Sequence, residues 1–390
     1  MDHFALVQAL CRVVMATPNP AARKQIERLR DALKEGGETK QAASLTSLLT
    51  SVDRVEEMAP SRLTRSKAPV VGEVLSKNTV LPVDKESGAP LAEVVFPGQI
   101  QEAGPLMNVR VTAAVRSLLE EWVHFEDLQR VDVTPAKTCL IYGAPGTGKT
   151  RLAMWIARQL ELPVVVARLD SLVSSFLGTS SRNIGNLFAF ANRYRCLLLL
   201  DEFDSLAKLR DDPQEVGEIK RIVNALLQNL DVRRPVGFTI GITNHPQLLD
   251  AAVWRRFEAQ LEIPNPDAEL RLDMARTFML PTDAPESHLK LLVWFTDGAT
   301  GAELEALVRA YKKMRALRGD EPYAVLDLFR HFATLNSGRI QNERRTLLFG
   351  EEEHLVEALS SDKSNKSIKF SQKEIGEIIG KHKSTVSRML

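Results

Sequence analysis

The sequence predicts an α/β protein: a parallel sheet with helices on both faces, a helical lid after it, and short helical units at either end. Three observations carry this. Short continuous apolar runs occur at Thr138 to Tyr142, Val164 to Val166, Cys196 to Leu200, Phe238 to Ile242 and Leu261 to Ile263. Segments of helical spacing separate them, the pattern of strands buried on both faces. From 265 to 335 the spacing turns wholly helical.

The composition allows a sizeable core. Of 390 residues, 44% are hydrophobic and 26% charged, which is ordinary for a globular chain. Lys and Arg number 51 against 50 Asp and Glu. That near balance excludes a globally basic nucleic-acid coat or a globally acidic mimic, but not a local basic patch. Cys11, Cys139 and Cys196 are odd in number and far apart. They support neither a disulfide framework nor a zinc knuckle, and a reducing, cytoplasmic setting is expected. Met1-Asp2-His3 lacks a basic n-region and Arg12 interrupts the apolar stretch behind it, so no secretory signal is expected. No apolar run approaches the roughly 20 residues that span a bilayer, and no membrane partner is expected.

Taken in order, residues 1–58 form a helical unit. Phe4, Val7, Leu10, Cys11 and Val14 share a face, Asn19-Pro20 restarts the helix, and Ile26, Leu29 and Leu33 continue to Gly36-Gly37. Leu45, Leu48, Leu49 and Val52 make a third stripe. Such a short unit either packs on itself or docks on a partner. Residues 59–104 read as a linker with extended pieces; its basic cluster, Arg62, Arg65 and Lys67, reads as solvated charge or a nucleic-acid contact. Residues 105–264 are the large α/β domain, opened by a helix over 110–124, and 265–335 the helical lid. Residues 336–365 read as a polar connector and 366–390 as a separate tail.

One motif carries chemistry directly. Gly143-Ala144-Pro145-Gly146-Thr147-Gly148-Lys149-Thr150 fits GxxxxGK[ST] between a predicted strand and a predicted helix, Arg151 to Leu160. The glycines let backbone N–H groups converge on phosphate oxygens, and the helix N-terminus adds partial positive charge. Lys149 would reach the β- and γ-phosphates of ATP, and the Thr150 hydroxyl would ligate Mg²⁺. Downstream, Leu197 to Leu200 end in Asp201-Glu202. A strand end of a parallel sheet is where ligands bind. Asp201 would hold the Mg²⁺ shell and Glu202 would orient and deprotonate the attacking water.

The run Asp201-Glu202-Phe203-Asp204-Ser205-Leu206-Ala207 resembles the Walker-B region of AAA-type ATPases, within the AAA+ superfamily of P-loop NTPases. Four further segments follow the family's pattern. Ser175-Phe176-Leu177-Gly178 resembles the first pore loop. Ile242 to Pro246 resembles the sensor-1 segment, with Asn244 as the polar sensor. Trp254-Arg255-Arg256-Phe257-Glu258 resembles the arginine-finger segment, with either arginine as the finger. Thr300-Gly301-Ala302-Glu303-Leu304 resembles the sensor-2 helix start, placing Gly301 and Ala302 at the nucleotide. Ser175 stands where a lysine is common, and Thr179-Ser180 replace the usual acidic residue. The resemblance implies a homo-oligomeric ring, a hexamer, that hydrolyses ATP between subunits and pulls a protein substrate past Phe176, Leu177 and Gly178.

The tail resembles a helix-turn-helix. Ile375, Ile378 and Ile379 share a face of its first helix, Gly376 lies where the helices approach, and Gly380 sits at the turn. Val386, Met389 and Leu390 form the apolar face of the second. Ser384, Thr385, Ser387 and Arg388 would face outward to double-stranded DNA. Residues 366–390 carry six basic residues, including Lys366, against two acidic ones. A basic hairpin docked on the ring is the alternative. Three functional readings follow: a remodelling ATPase with a DNA-contacting tail, a DNA-anchored regulator that threads nothing, and a partner or antidote of a subtilisin-like protease. The last rests on layout, which resembles stand-alone bacterial AAA ATPases of plasmid-maintenance and phage-defence pairs.

Overall fold

The computed structural model describes residues 4, 7, 10, 11, 20–57, 72–172, 179–203, 216–318, 325–335, 342–361 and 368–390. The chain divides into two compact units, Met1–Ala68 and Pro69–Leu390. Asn19, Val14, the Val52 side chain, Arg62, Arg65, Lys67 and Lys366 lie outside the described residues, as do Ser175 to Gly178 and Asp204 to Ala207.

In the first unit, helices α1 (Pro20–Glu35) and α2 (Thr39–Glu57) form a hairpin. Ile26, Leu33, Ala42, Leu45, Leu48 and Leu49 bury between them, joined by Cys11, Phe4 and Val7. Gly37, at φ +81°, ends α1 while the Glu38 N–H returns to Leu33 O at 2.9 Å, a left-handed helix stop. Leu10 is 64% exposed, against the expectation that it shares the buried face. At about 100° per residue, positions 4, 7 and 11 cluster and position 10 points away.

The second unit holds the sheet. In chain order its first elements are β1 (Glu73–Val74), β2 (Ala92–Val95), α3 (Val109–Val123), α4 (Phe125–Arg130), β3 (Thr138–Gly143), α5 (Lys149–Gln159), β4 (Val164–Ala167) and α6 (Leu169–Leu172). There follow α7 (Thr179–Arg193), β5 (Tyr194–Arg195), β6 (Leu197–Leu200), α8 (Val216–Asp231), β7 (Phe238–Thr243), α9 (Ala251–Trp254) and β8 (Ala259–Ile263). Six strands lie in the order β2-β4-β6-β7-β3-β8, parallel except at β2, while β1 and β5 make a separate parallel pair. Strand side chains alternate between faces. Leu140, Leu198 and Leu200 enter one core with α7 and α8. Cys139, Ile141, Leu197 and Leu199 enter the other with α3 and α5. Burial pushes the Cys139 thiol up to about 12. Among residues 59–104, β2 pairs antiparallel with β4, and Leu75, Leu91 and Ala92 join the core.

The lid comprises α10 (Ala268–Met279), α11 (Glu286–Phe295), α12 (Gly301–Arg318) and α13 (Val325–Leu335). It shares one core with α14 (Asn342–Phe349), α15 (Glu352–Ser361), α16 (Gln372–Ile379) and α17 (Lys383–Met389). Residues 342–361 are thus two helices rather than an irregular polar connector. Leu348, Leu355, Val356 and Leu359 are buried there, a narrow stripe that packing on neighbours completes. Ser371 and Glu374 form a capping box at the start of α16. A side chain on Gly376 would lie 2.5 Å from Lys381 O, and Gly380 turns the chain at φ +69°. Ile375, Ile378 and Val386 are buried and Met389 is half-buried. Leu390 is 55% exposed, because it lies past the last turn of α17 rather than on its apolar face. Among the described residues no helix is long and apolar enough to cross a membrane.

Candidate functional site

Three neighbouring strands end together. In register, Tyr142 of β3 faces Thr243 of β7, and Gly241 of β7 faces Leu200 of β6. The glycine-rich loop after β3, the carboxylates after β6 and Asn244 after β7 therefore meet at one edge, the carboxyl edge where open α/β sheets bind ligands.

The loop is built for backbone approach. Gly143, Gly146 and Gly148 have φ of +149°, +80° and +91°, values that glycine adopts without Cβ strain. A Cβ on Gly146 would lie 2.9 Å from both Ala302 Cβ and Thr300 Oγ1. The loop is thus pressed against the start of α12, where the Ala302 N–H donates to Gly146 O at 3.1 Å. Thr300 caps that helix: its N–H and hydroxyl donate to Glu303 Oε2 at 2.8 and 2.9 Å. Gly301 and Ala302 thereby stand beside the loop. Pro145 is exposed at the loop's tip and the buried Thr147 hydroxyl donates to Ala144 O at 2.9 Å.

Helix α5 starts at Lys149, two residues before the predicted start, so Lys149 and Thr150 lie in its first turn. Lys149 is 5% exposed, and its ammonium donates to Gly143 O and Ala144 O at 2.9 and 2.7 Å. Thr150 Oγ1 donates to Asp201 Oδ2 at 2.8 Å. The Glu202 N–H donates to Asp201 Oδ1 at 2.8 Å while Glu202 holds φ +53°, left-handed backbone that a non-glycine residue adopts at a cost and that clusters at active sites. The Glu202 side chain is exposed. Asn244 is half-buried, next to Thr243, whose hydroxyl accepts from the His245 N–H at 3.0 Å.

The donor set fits a magnesium nucleotide. Glycines open the loop backbone, a buried ammonium lies against it, and a hydroxyl and a carboxylate supply the hard oxygens Mg²⁺ prefers. The two arginines differ. Arg256 is half-buried, with Nε 3.2 Å from Asp231 Oδ1 and Nη1 donating to Ala252 O at 3.2 Å. Arg255 is exposed and pairs with no described side chain. Sequence reasoning missed Met107, whose Cε would lie 3.7 Å from a Cβ on Gly148. It sits in an irregular stretch with no period to mark it. Ser384, Thr385, Ser387 and Arg388 are exposed on α17, and the pore-loop residues Phe176, Leu177 and Gly178 lie outside the described residues.

Residues 139–265 match the family model described as the ATPase family associated with various cellular activities (AAA). The chain is 40% identical over 163 residues to the uncharacterised AAA family ATPase y4kL of Sinorhizobium fredii, covering 42% of this chain and 48% of that one. It is 32% identical over 216 residues to the proteasome-activating nucleotidase of Methanocaldococcus jannaschii, covering 53% of this chain and 50% of that one. A crystal structure of the FIGL-1 AAA domain aligns at 24% identity with a TM-score of 0.48, covering 70% of this chain and 92% of that one. The chain spans about half the length of these two curated relatives.

Proposed function

Because residues 139–265 of this chain are an AAA ATPase domain with a P-loop NTPase fold, we propose that the protein hydrolyses ATP to remodel a protein partner. The observation that carries this is the convergence of Lys149, Thr150, Asp201 and Glu202 at one sheet edge, closed by Gly301 and Ala302 from the lid. Lys149 and the loop N–H groups bind the phosphates. Thr150 and Asp201 hold Mg²⁺, which when bound offsets charge on the phosphate oxygens. Glu202 takes the proton of the attacking water, and Asn244 orients that water.

The active form is a ring of identical subunits, six in number, with each ATP between neighbours. Arg255 fits the finger that reaches the neighbour's γ-phosphate, being exposed and without a side-chain partner among the described residues; Arg256 fits its anchor, being tied to Asp231. Such a finger is worth about 10³–10⁵ in rate. Phe176, Leu177 and Gly178 would grip a threaded polypeptide. A second reading, a DNA-anchored regulator, is favoured by one observation: α17 exposes Ser384, Thr385, Ser387 and Arg388 while burying Val386.

The test is a trap. Glu202→Gln should bind ATP and lose about 10²–10⁴ in turnover, whereas Lys149→Ala should lose binding too. Full turnover in both would overturn the ATPase proposal. Affinity capture with the ATP-loaded Glu202→Gln protein should retain a protein substrate. Retention of DNA alone would favour the regulator, and co-purification of a subtilisin-like hydrolase would favour the protease pair.

A further inference from the structure

The turn that carries Arg255 and Arg256 lies between two aromatic pairs, and each pair reaches a different part of the nucleotide site. On one side Trp254 meets Tyr142 edge to face, with ring centroids 5.0 Å apart at 79°. Tyr142 is the residue before Gly143, where the phosphate loop begins. On the other side Phe257 meets Phe203 edge to face, at 6.0 Å and 82°. Phe203 directly follows Glu202, and its N–H donates to Ile242 O at 2.8 Å. The base of the turn is fixed as well. Thr138 Oγ1 donates to Arg256 O at 2.9 Å and accepts from the Glu258 N–H at 3.0 Å. Arg256 itself is held by Asp231 and Ala252 O.

We infer that Trp254 and Phe257 are positioning residues that couple a subunit's own nucleotide site to the arginine it presents outward. The inference rests on the proposal that Arg255 acts as a finger. The physics is local. A T-shaped aromatic pair is attractive beyond its buried area and has a preferred geometry. A shift of the loop or of Glu202 backbone therefore displaces one ring and carries its partner with it. Trp254 precedes Arg255, and Phe257 follows Arg256, so a displacement of either ring re-aims the exposed guanidinium. Trp254 is half-buried and Phe257 is buried, so Trp254 can be changed with less harm to the core.

Trp254→Leu removes the edge contact and Trp254→Phe keeps it. The experiment measures kcat, KM for ATP, nucleotide affinity and thermal melting for both variants, for Arg255→Ala and for Trp254→Leu/Arg255→Ala, all in the full chain. Trp254→Leu should lower kcat about 10–100-fold, the scale of a misplaced reacting group. Affinity and melting should stay near those of the parent, and Trp254→Phe should restore most of kcat. The double variant should be no slower than Arg255→Ala, because the tryptophan acts through that arginine. Full kcat in Trp254→Leu, or losses that multiply in the double variant, would overturn the inference. So would a loss explained by weakened melting or binding. If Arg255→Ala alone keeps full turnover, the finger proposal fails instead, and any loss in Trp254→Leu then has another cause.

Discussion

Thr150 Oγ1 donates a 2.8 Å hydrogen bond to Asp201 Oδ2, joining the first turn of the helix after the phosphate loop to the end of a strand two places away in the sheet. Asp201 is doubly engaged, because its other oxygen accepts the Glu202 N–H. The carboxylate is therefore aimed before any ligand arrives. Asp201→Asn should raise the Mg²⁺ concentration for half-maximal turnover by about 10–100-fold, the scale on which oriented metal-site partners act. A magnesium titration of ATPase activity checks this; an unchanged midpoint would remove Asp201 from the metal site.

Inside the lid, Asp297 is clamped between two cations. Arg271 Nη2 lies 2.8 Å from Oδ1, Arg344 Nη2 lies 3.6 Å from Oδ2, and the Arg344 guanidinium covers the Trp294 ring at 4.2 Å. Arg271 is 3% exposed. Asp297→Ala leaves that cation buried beside another, and breaking a buried pair this way costs about 3–5 kcal/mol. Denaturant unfolding should show a loss of that size, whereas Asp273→Ala, at an exposed pair with Arg276, should change stability by less than about 1 kcal/mol.

The lid should also weaken in acid. Burial holds His288 below its ordinary value of 6.5; Arg315 adds repulsion and Glu377 partly offsets it. Its Nδ1 lies 2.8 Å from the Tyr311 hydroxyl, which burial keeps protonated. The neutral ring is the form the folded lid favours. Stability is thus full above the unfolded value and falls as pH drops below it, where the unfolded chain takes up a proton that the folded one does not. The slope reaches about 1.4 kcal/mol per pH unit from this group. Melting between pH 7.5 and 5.5 should show the decline, and His288→Gln should flatten it.

For the tail, the informative variants are on the surface. Ile375, Ile378, Ile379 and Val386 belong to the lid core, so deleting 366–390 would expose that core and confuse binding with folding. Lys381 is paired with Glu352, Lys290 with Glu374 at 2.5 Å and Lys373 with Glu377 at 3.9 Å, whereas Lys383 and Arg388 are exposed on α17 beside the Ser384 and Thr385 side chains, where they could face a duplex. If the tail binds DNA, Arg388→Ala should weaken affinity and reduce the magnitude of the slope of log affinity against log salt by about 1. An unchanged slope would count against DNA contact there.

The candidate site was legible because its residues lie close together in the chain. Lys149, Thr150 and the glycines sit within eight consecutive residues, and Asp201-Glu202 follow an unbroken apolar run that has to be a buried strand. Covalent spacing alone dictates that part, and the strand–loop–helix order follows from it. What depended on distant pairs was not legible. Two adjacent arginines look alike in sequence; Asp231, from another helix, separates them by anchoring Arg256 and leaving Arg255 exposed. Residues 342–361 look polar because each helix offers only a thin apolar stripe, which the lid core completes. Local sequence was enough to mark the glycine-rich loop, the acidic strand end and the α/β class. The tertiary structure decided which arginine projects, and that the C-terminal helices belong to the lid, because both depend on contacts between segments far apart in the chain.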